Sequence, residues 1–203
     1  MRQPLRLVTA LLVPLLVALA GIGVAAPAQA DPVIDLNWAN VTGQTVVKKP
    51  NVTITVPPST FMAKLDLGTG KLTGDMKIPD LTMKMKLFGH IPVTSTVRMV
   101  PVGQTTANVD LTAGKITSTT TFTLQVVRVS QDWFPKVNLV PATCTTSKPS
   151  VATLVNTTPI DLFKGTTLAG SYEIPAFKDC GVLTPLLSLL MAGPGNTMTL
   201  TLK

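Results

Sequence analysis

The chain has 203 residues, with 17 Lys or Arg against 10 Asp or Glu, one histidine, two cysteines and 4% aromatic residues. One histidine far from two cysteines has no zinc-like spacing, and lysines scattered apart from Lys48-Lys49 and the alternating Lys84 and Lys86 make no dense phosphate-binding arm. Trp38, Trp133, Phe134 and Tyr172 are dispersed, which gives little support to nucleic-acid or sugar recognition by stacked rings.

Residues 1–30 differ in composition from the remainder. Arg2 and Arg6 supply a positive start, an apolar stretch follows from about Leu7 to Val24, and Ala28-Gln29-Ala30 puts small residues where signal peptidase needs them. The segment reads as a cleaved secretory signal. The expectation is a mature chain of residues 31–203 forming one β-rich domain, released to the extracellular space or the cell envelope. An uncleaved anchor is disfavoured because Pro14 interrupts the apolar span and a good cleavage site follows, so the mature protein is not expected to span a membrane. The signal removes two basic residues and no acidic one, leaving 15 against 10, a net charge of +5. That balance suits weak attraction to anionic envelope polymers or lipids, or a merely solvated surface.

Downstream, the dominant signal is a two-residue alternation. It appears in "NVTITV" (Val52, Ile54, Val56) and "LTMKMKL" (Leu81, Met83, Met85, Leu87), and again in "TMTLTL" (Met198, Leu200, Leu202). In "ITSTTTFTLQV", Thr117, Thr119, Thr121 and Thr123 point one way while Ile116, Phe122, Leu124 and Val126 point the other. About ten strands are expected. Proline stands beside a β-branched residue at Pro57, Pro79, Pro92, Pro101, Pro141 and Pro175, where it would end strands or sit at sheet edges.

A short phrase occurs twice. "LDLGTGKLTG" (65–74) and "VDLTAGKITS" (109–118) share Asp-Leu-x-x-Gly-Lys-(Leu/Ile)-Thr, with aspartates 44 positions apart. Each places glycine between alternating runs, the usual mark of a tight hairpin turn, so a duplicated hairpin is expected. Asp66 with Lys71, and Asp110 with Lys115, would then flank the turns and could pair across them. Nucleotide binding is not expected: a phosphate loop needs Ser or Thr after the lysine and a helix beyond, whereas Leu72 and Ile116 follow and a strand pattern continues.

Cys144 and Cys180 read as a disulfide in an oxidising compartment. One helix is expected from Thr184 to Ala192, capped by Thr184, begun by Pro185, ended near Gly193, and serving as a lid or plug on one end of the sheets.

Catalytic parts are few. His90, the one histidine, lies in "FGHIP" between strand patterns and reads as a turn residue. No serine occupies a Gly-x-Ser-x-Gly elbow. Of nine aspartates and Glu173, Asp66, Asp75, Asp80, Asp110 and Asp179 fall in or near turns, where carboxylates bond their own backbone. No catalytic residue, metal or cofactor is therefore assigned. The methionines are the remaining candidates: Met76, Met83, Met85 and Met99 fall in neighbouring hairpins, and with Leu187 and Leu190 of the helix they are the residues expected to line an apolar ligand pocket, if one is present rather than ordinary core.

The segments "LDLGTGKLTGDMKIPD", "FGHIPVTSTVRMVPVG", "CTTSKP" at Cys144, "IPAFKDCG" ending at Gly181 and "GPGNTMTLTL" resemble a family of secreted, β-rich actinobacterial proteins of unassigned function, over roughly residues 61–202. The resemblance implies an extracytoplasmic bacterial protein with one disulfide and brings no activity with it.

The fold expected is all-β: an antiparallel β-sandwich or flattened barrel with a duplicated hairpin unit and one short C-terminal helix. The function expected is non-catalytic binding or structural work on an envelope macromolecule, with carriage of a lipid or other apolar molecule as the alternative.

Overall fold

The structure, a computed structural model, describes residues 31–87 and 89–203; the expected signal segment lies outside them. Twelve strands follow in chain order: β1 (Val33–Val47), β2 (Val52–Asp66), β3 (Lys71–Lys77), β4 (Leu81–Leu87), β5 (Ile91–Pro101), β6 (Thr105–Asp110), β7 (Lys115–Gln131), β8 (Thr145–Thr146), β9 (Ser150–Asn156), β10 (Thr166–Ile174), β11 (Phe177–Lys178) and β12 (Gly193–Leu202). A 3-10 turn (Gly181–Leu183) and one helix, α1 (Thr184–Met191), lie between β11 and β12.

The expected antiparallel all-β fold is present. Eight strands close a barrel in the order β7-β6-β3-β2-β1-β12-β10-β9 and back to β7. Closure gives each barrel strand a neighbour on both sides, so the barrel sheet has no terminal edge strand. The alternating patterns explain the inside. Ile116, Ser118, Phe122, Leu124 and Val126 of β7 are buried while the intervening threonines are exposed or half-exposed, as a pleated strand with one apolar face requires. Buried residues from all the long strands form one continuous core.

β7 is longer than the barrel needs. Lys115–Thr119 pair with β6 and Thr117–Phe122 with β9, which completes the barrel. Beyond Phe122 the same strand pairs with β5 through Gln131, and β4 adds to β5, while β8 and β11 add a short ladder on the opposite edge. A small second sheet, β4-β5-β7-β8-β11, therefore grows from one strand of the barrel.

Both copies of the repeated phrase are hairpins. Gly70 (φ 66°) joins β2 to β3 and Gly114 (φ 63°) joins β6 to β7, each in the left-handed conformation that glycine adopts at little cost. The copies lie side by side, since β3 pairs with β6 and the Val109 N–H donates to the Gly70 carbonyl at 2.7 Å. Ion pairs across the turns do not form; the carboxylates accept from the turn backbone instead. Asp66 Oδ1 takes the N–H groups of Gly68 (2.9 Å) and Thr69 (3.1 Å), and Asp110 Oδ1 takes that of Ala113 (2.8 Å). The Thr69 N–H bond is the main reason the Asp66 carboxyl lies below its ordinary pKa.

Pro57 lies elsewhere than its sequence signal placed it. The runs on either side of Pro57-Pro58 form one 15-residue strand, β2, and the prolines occupy the irregular stretch where its register with β1 shifts between Val41 and Gly43. A bulge tolerates the missing N–H. At the same bend Gly43 allows the strands to approach: a Cβ there would overlap the Thr199 carbonyl oxygen of β12.

The segment between β10 and β12 carries the helix. α1 ends at Met191, one residue earlier than expected, and Leu183 rather than Thr184 occupies the N-cap position. The Thr184 hydroxyl bonds the 3-10 turn, accepting from the Cys180 N–H and donating to the Gly181 carbonyl. Leu187 and Met191 enter the core, and Lys49 Nζ from the β1–β2 turn donates to the Leu189 carbonyl, so the helix rests at that end of the barrel. The Cys144–Cys180 disulfide joins this segment to the loop before β8.

Replacing both cysteines with alanine removes a cross-link spanning 36 positions, and the chain-entropy model puts the loss at about 4 kcal/mol. The variant is expected to unfold at lower urea with an unchanged fold in far-ultraviolet circular dichroism. An equal urea midpoint would show that the bridge contributes nothing.

Candidate functional site

The ladder running beside β7 has a gap. β3 pairs with β6 as far as Gly74 opposite Thr105, and pairing resumes only where Leu81 of β4 meets Val97 of β5. Side chains bridge the interval: Gln104 Nε2 donates to Asp75 Oδ2 at 3.0 Å, and Arg98 donates from Nε and Nη2 to the two carboxylate oxygens of Asp80 at 2.7 and 2.9 Å. The hydrogen bonds from Arg98 are also the main reason the Asp80 carboxyl sits below its usual range.

Behind the gap lies an apolar recess lined by Met76, Met99, Met198, Phe122, Leu154 and Leu200, among others. Of the six residues expected around an apolar ligand, Met76 and Met99 meet here. Met83 is buried on β4, Met85 is half-buried beside Lys84 and Lys86, and Leu187 and Leu190 belong to α1; these four do not line the recess. Met198 joins it from β12, a position its inward alternation made legible. The free space is about 30 Å3, room for roughly two waters.

Several buried polar groups find hydrogen-bond partners within the fold, whereas Trp38 Nε1 and the hydroxyls of Ser95, Ser150 and Thr166 have none among the described residues. Thr45 and Tyr172 share a hydrogen bond of 2.8 Å, and the fully buried Asn196 accepts from the Lys48 N–H and donates to the Tyr172 and Gly193 carbonyls. Burial pushes the Tyr172 phenol above its ordinary pKa, with the Thr45 bond opposing. Trp38 stacks on Phe61 with ring centroids 5.6 Å apart.

The second candidate is the loop that leaves the far end of β7. Trp133, Phe134, Val137 and Leu139 are 65%, 63%, 53% and 39% exposed. Exposure here does not mean a loose backbone. Asn138 Oδ1 accepts from the Val129 N–H (3.0 Å) and the Val140 N–H (3.3 Å), its Nδ2 donates to the Val127 carbonyl (3.1 Å), and the Leu139 N–H donates to the Val129 carbonyl (2.8 Å). Arg128 Nη2 donates to the Pro135 carbonyl. At the loop's start, the Asp132 N–H donates to the Pro92 carbonyl and its carboxylate accepts from the Thr94 hydroxyl.

The charges around this loop are mainly positive. Lys84, Lys86 and Asp132 share one surface recess with Met85 and Pro92, Lys136 lies within the loop, and Arg128 is bonded to it. In the sequence Trp133 and Phe134 read only as dispersed aromatics. The available signal was their adjacency in a stretch without alternation, where no strand face could bury both.

Among the described residues no group of three His, Cys, Asp or Glu side chains is placed to hold a metal ion. Comparison with protein families, with curated proteins and with solved structures returns no match.

Asn138→Ala should free the loop while leaving the barrel intact. The Val129 and Val140 amides are expected to exchange hydrogen faster, with a global loss of about 1 kcal/mol. Unchanged protection at both amides would show that Asn138 does not hold the loop.

Proposed function

We propose that this chain is a non-catalytic protein of the cell envelope or extracellular space that binds a partner through the Trp133–Leu139 loop. The observation carrying this reading is the display of four large apolar side chains on a loop whose backbone is pinned to β7. Burying such a side chain fully is worth about 1.5–3 kcal/mol, and clustered apolar exposure of this kind is a recurrent mark of an interaction surface. The extracytoplasmic setting is supported by the signal-like composition of residues 1–30 and by a disulfide suited to an oxidising compartment.

A second reading, carriage of an apolar molecule, is favoured by the ladder gap and the three methionines behind it. Flexible thioethers can repack around a guest, and the Gln104–Asp75 and Arg98–Asp80 bridges are side-chain contacts that open without breaking a backbone ladder. Against it stands the size of the recess, since pockets for small molecules run to about 300–1,000 Å3.

Sedimentation with isolated bacterial envelopes tests the first reading. Wild-type protein is expected in the pellet and the Trp133→Ala/Phe134→Ala variant in the supernatant; equal distribution of the two would remove the loop from binding. For the second reading, native mass spectrometry of protein from a secretion host should show a mass excess that organic extraction abolishes, and a bare-chain mass at every extraction step would count against carriage.

A further inference from the structure

We infer that the partner of the Trp133–Leu139 loop is an anionic lipid bilayer, into whose headgroup layer the loop inserts. The inference rests on the loop being the binding surface and adds the chemistry of what it meets. Trp and Phe side by side with Val137 and Leu139 supply apolar surface, and an indole ring suits the boundary between acyl chains and headgroups, where its ring is apolar and its N–H finds water or a phosphate.

The surrounding charges select between a membrane and a protein. Protein interfaces are enriched in aromatics and arginine but depleted in lysine. Here Lys84, Lys86 and Lys136 accompany the aromatic pair, Arg128 is anchored at the loop's base, and the neighbouring carboxylate, Asp132, is engaged by the Thr94 hydroxyl. Apolar side chains backed by lysines are the composition of an interfacial anchor on an anionic surface. Lys84 and Lys86 are held on the exposed face of β4 through its ladder with β5, and the Asp132 N–H is bound to Pro92 of that same strand. The cations and the aromatic loop therefore lie together at one end of the small sheet. Bilayer insertion also explains why the loop is pinned: a preorganised loop loses less conformational freedom when it binds.

A built-in control exists. Phe163 is 84% exposed and adjoins Lys164, but it lies in the β9–β10 turn, beside the opposite end of β7, where Asn156 Oδ1 accepts from the Ile116 N–H. General stickiness of exposed aromatics would involve Phe163 as much as Trp133.

The test is flotation of the secreted protein with vesicles of phosphatidylcholine alone or mixed with phosphatidylglycerol, read with tryptophan emission. Of the two tryptophans, Trp38 is buried, so a blue shift reports Trp133. The protein should float with the anionic vesicles and shift its emission. Trp133→Ala/Phe134→Ala should weaken partitioning by roughly tenfold or more. Lys84→Gln, Lys86→Gln and Lys136→Gln should each weaken it by about fivefold, and Phe163→Ala should leave it unchanged. Equal flotation with both vesicle types, or loss shared by Phe163→Ala, would overturn the inference. If neither vesicle binds while loop-dependent envelope sedimentation persists, the partner is an envelope macromolecule, so the inference falls and the loop reading stands. Absence of both would end the two together.

Discussion

The double pairing of β7 is the constraint on which the rest of the molecule depends. Its first half is bonded to β6 and β9 at once, which joins the two ends of the barrel sheet, and its second half to β5 and, at Gln125, to β8. A two-stranded ribbon alone is marginal in water. The β4–β5 hairpin escapes that limit because it is continuous with a strand already fixed in the barrel. Phe122 marks the handover: buried, opposite Ser150 of β9 and Pro101 of β5, and edge-on to Tyr172 at 5.8 Å between centroids.

This handover explains both candidate sites. β5 and β6 run one after the other along the same edge of β7, interrupted after Pro101, and β3 and β4 run one after the other beside them. Where both ribbons pass from barrel to small sheet, their ladder breaks and leaves the methionine recess behind Asp75–Gln104 and Asp80–Arg98. Where β7 finally runs out, the chain turns back along its own edge through Asn138 and presents Trp133 and Phe134. One site is thus a discontinuity in the sheet, the other its terminus.

Legibility differed between these sites for a physical reason. Met76, Met99 and Met198 were open to inspection because inward alternation identifies a buried face. Met83 and Met85 share that pattern, yet belong to the extension beyond the ladder gap, and alternation within one strand says nothing of which strand lies across the core. The Trp133 loop carried no periodic signal at all. Its exposure follows from Asn138 and Arg128 bonding backbone groups of neighbouring segments, an arrangement that exists only once β7 is in place.

What the sequence determined by itself was local. Period-two alternation made strands, the two Asp-Leu-x-x-Gly-Lys phrases made hairpins, and Thr184-Pro185 began a helix, because each depends on steric and hydrogen-bonding preferences within a few residues. Only the tertiary structure decided that eight strands close into a barrel, that β2 continues through Pro57-Pro58, and that β7 outlasts the barrel to build a second sheet. Those outcomes depend on which ladders meet across long stretches of chain. Strand pairing is set by the joint burial of many faces at once, and no single segment contains that information.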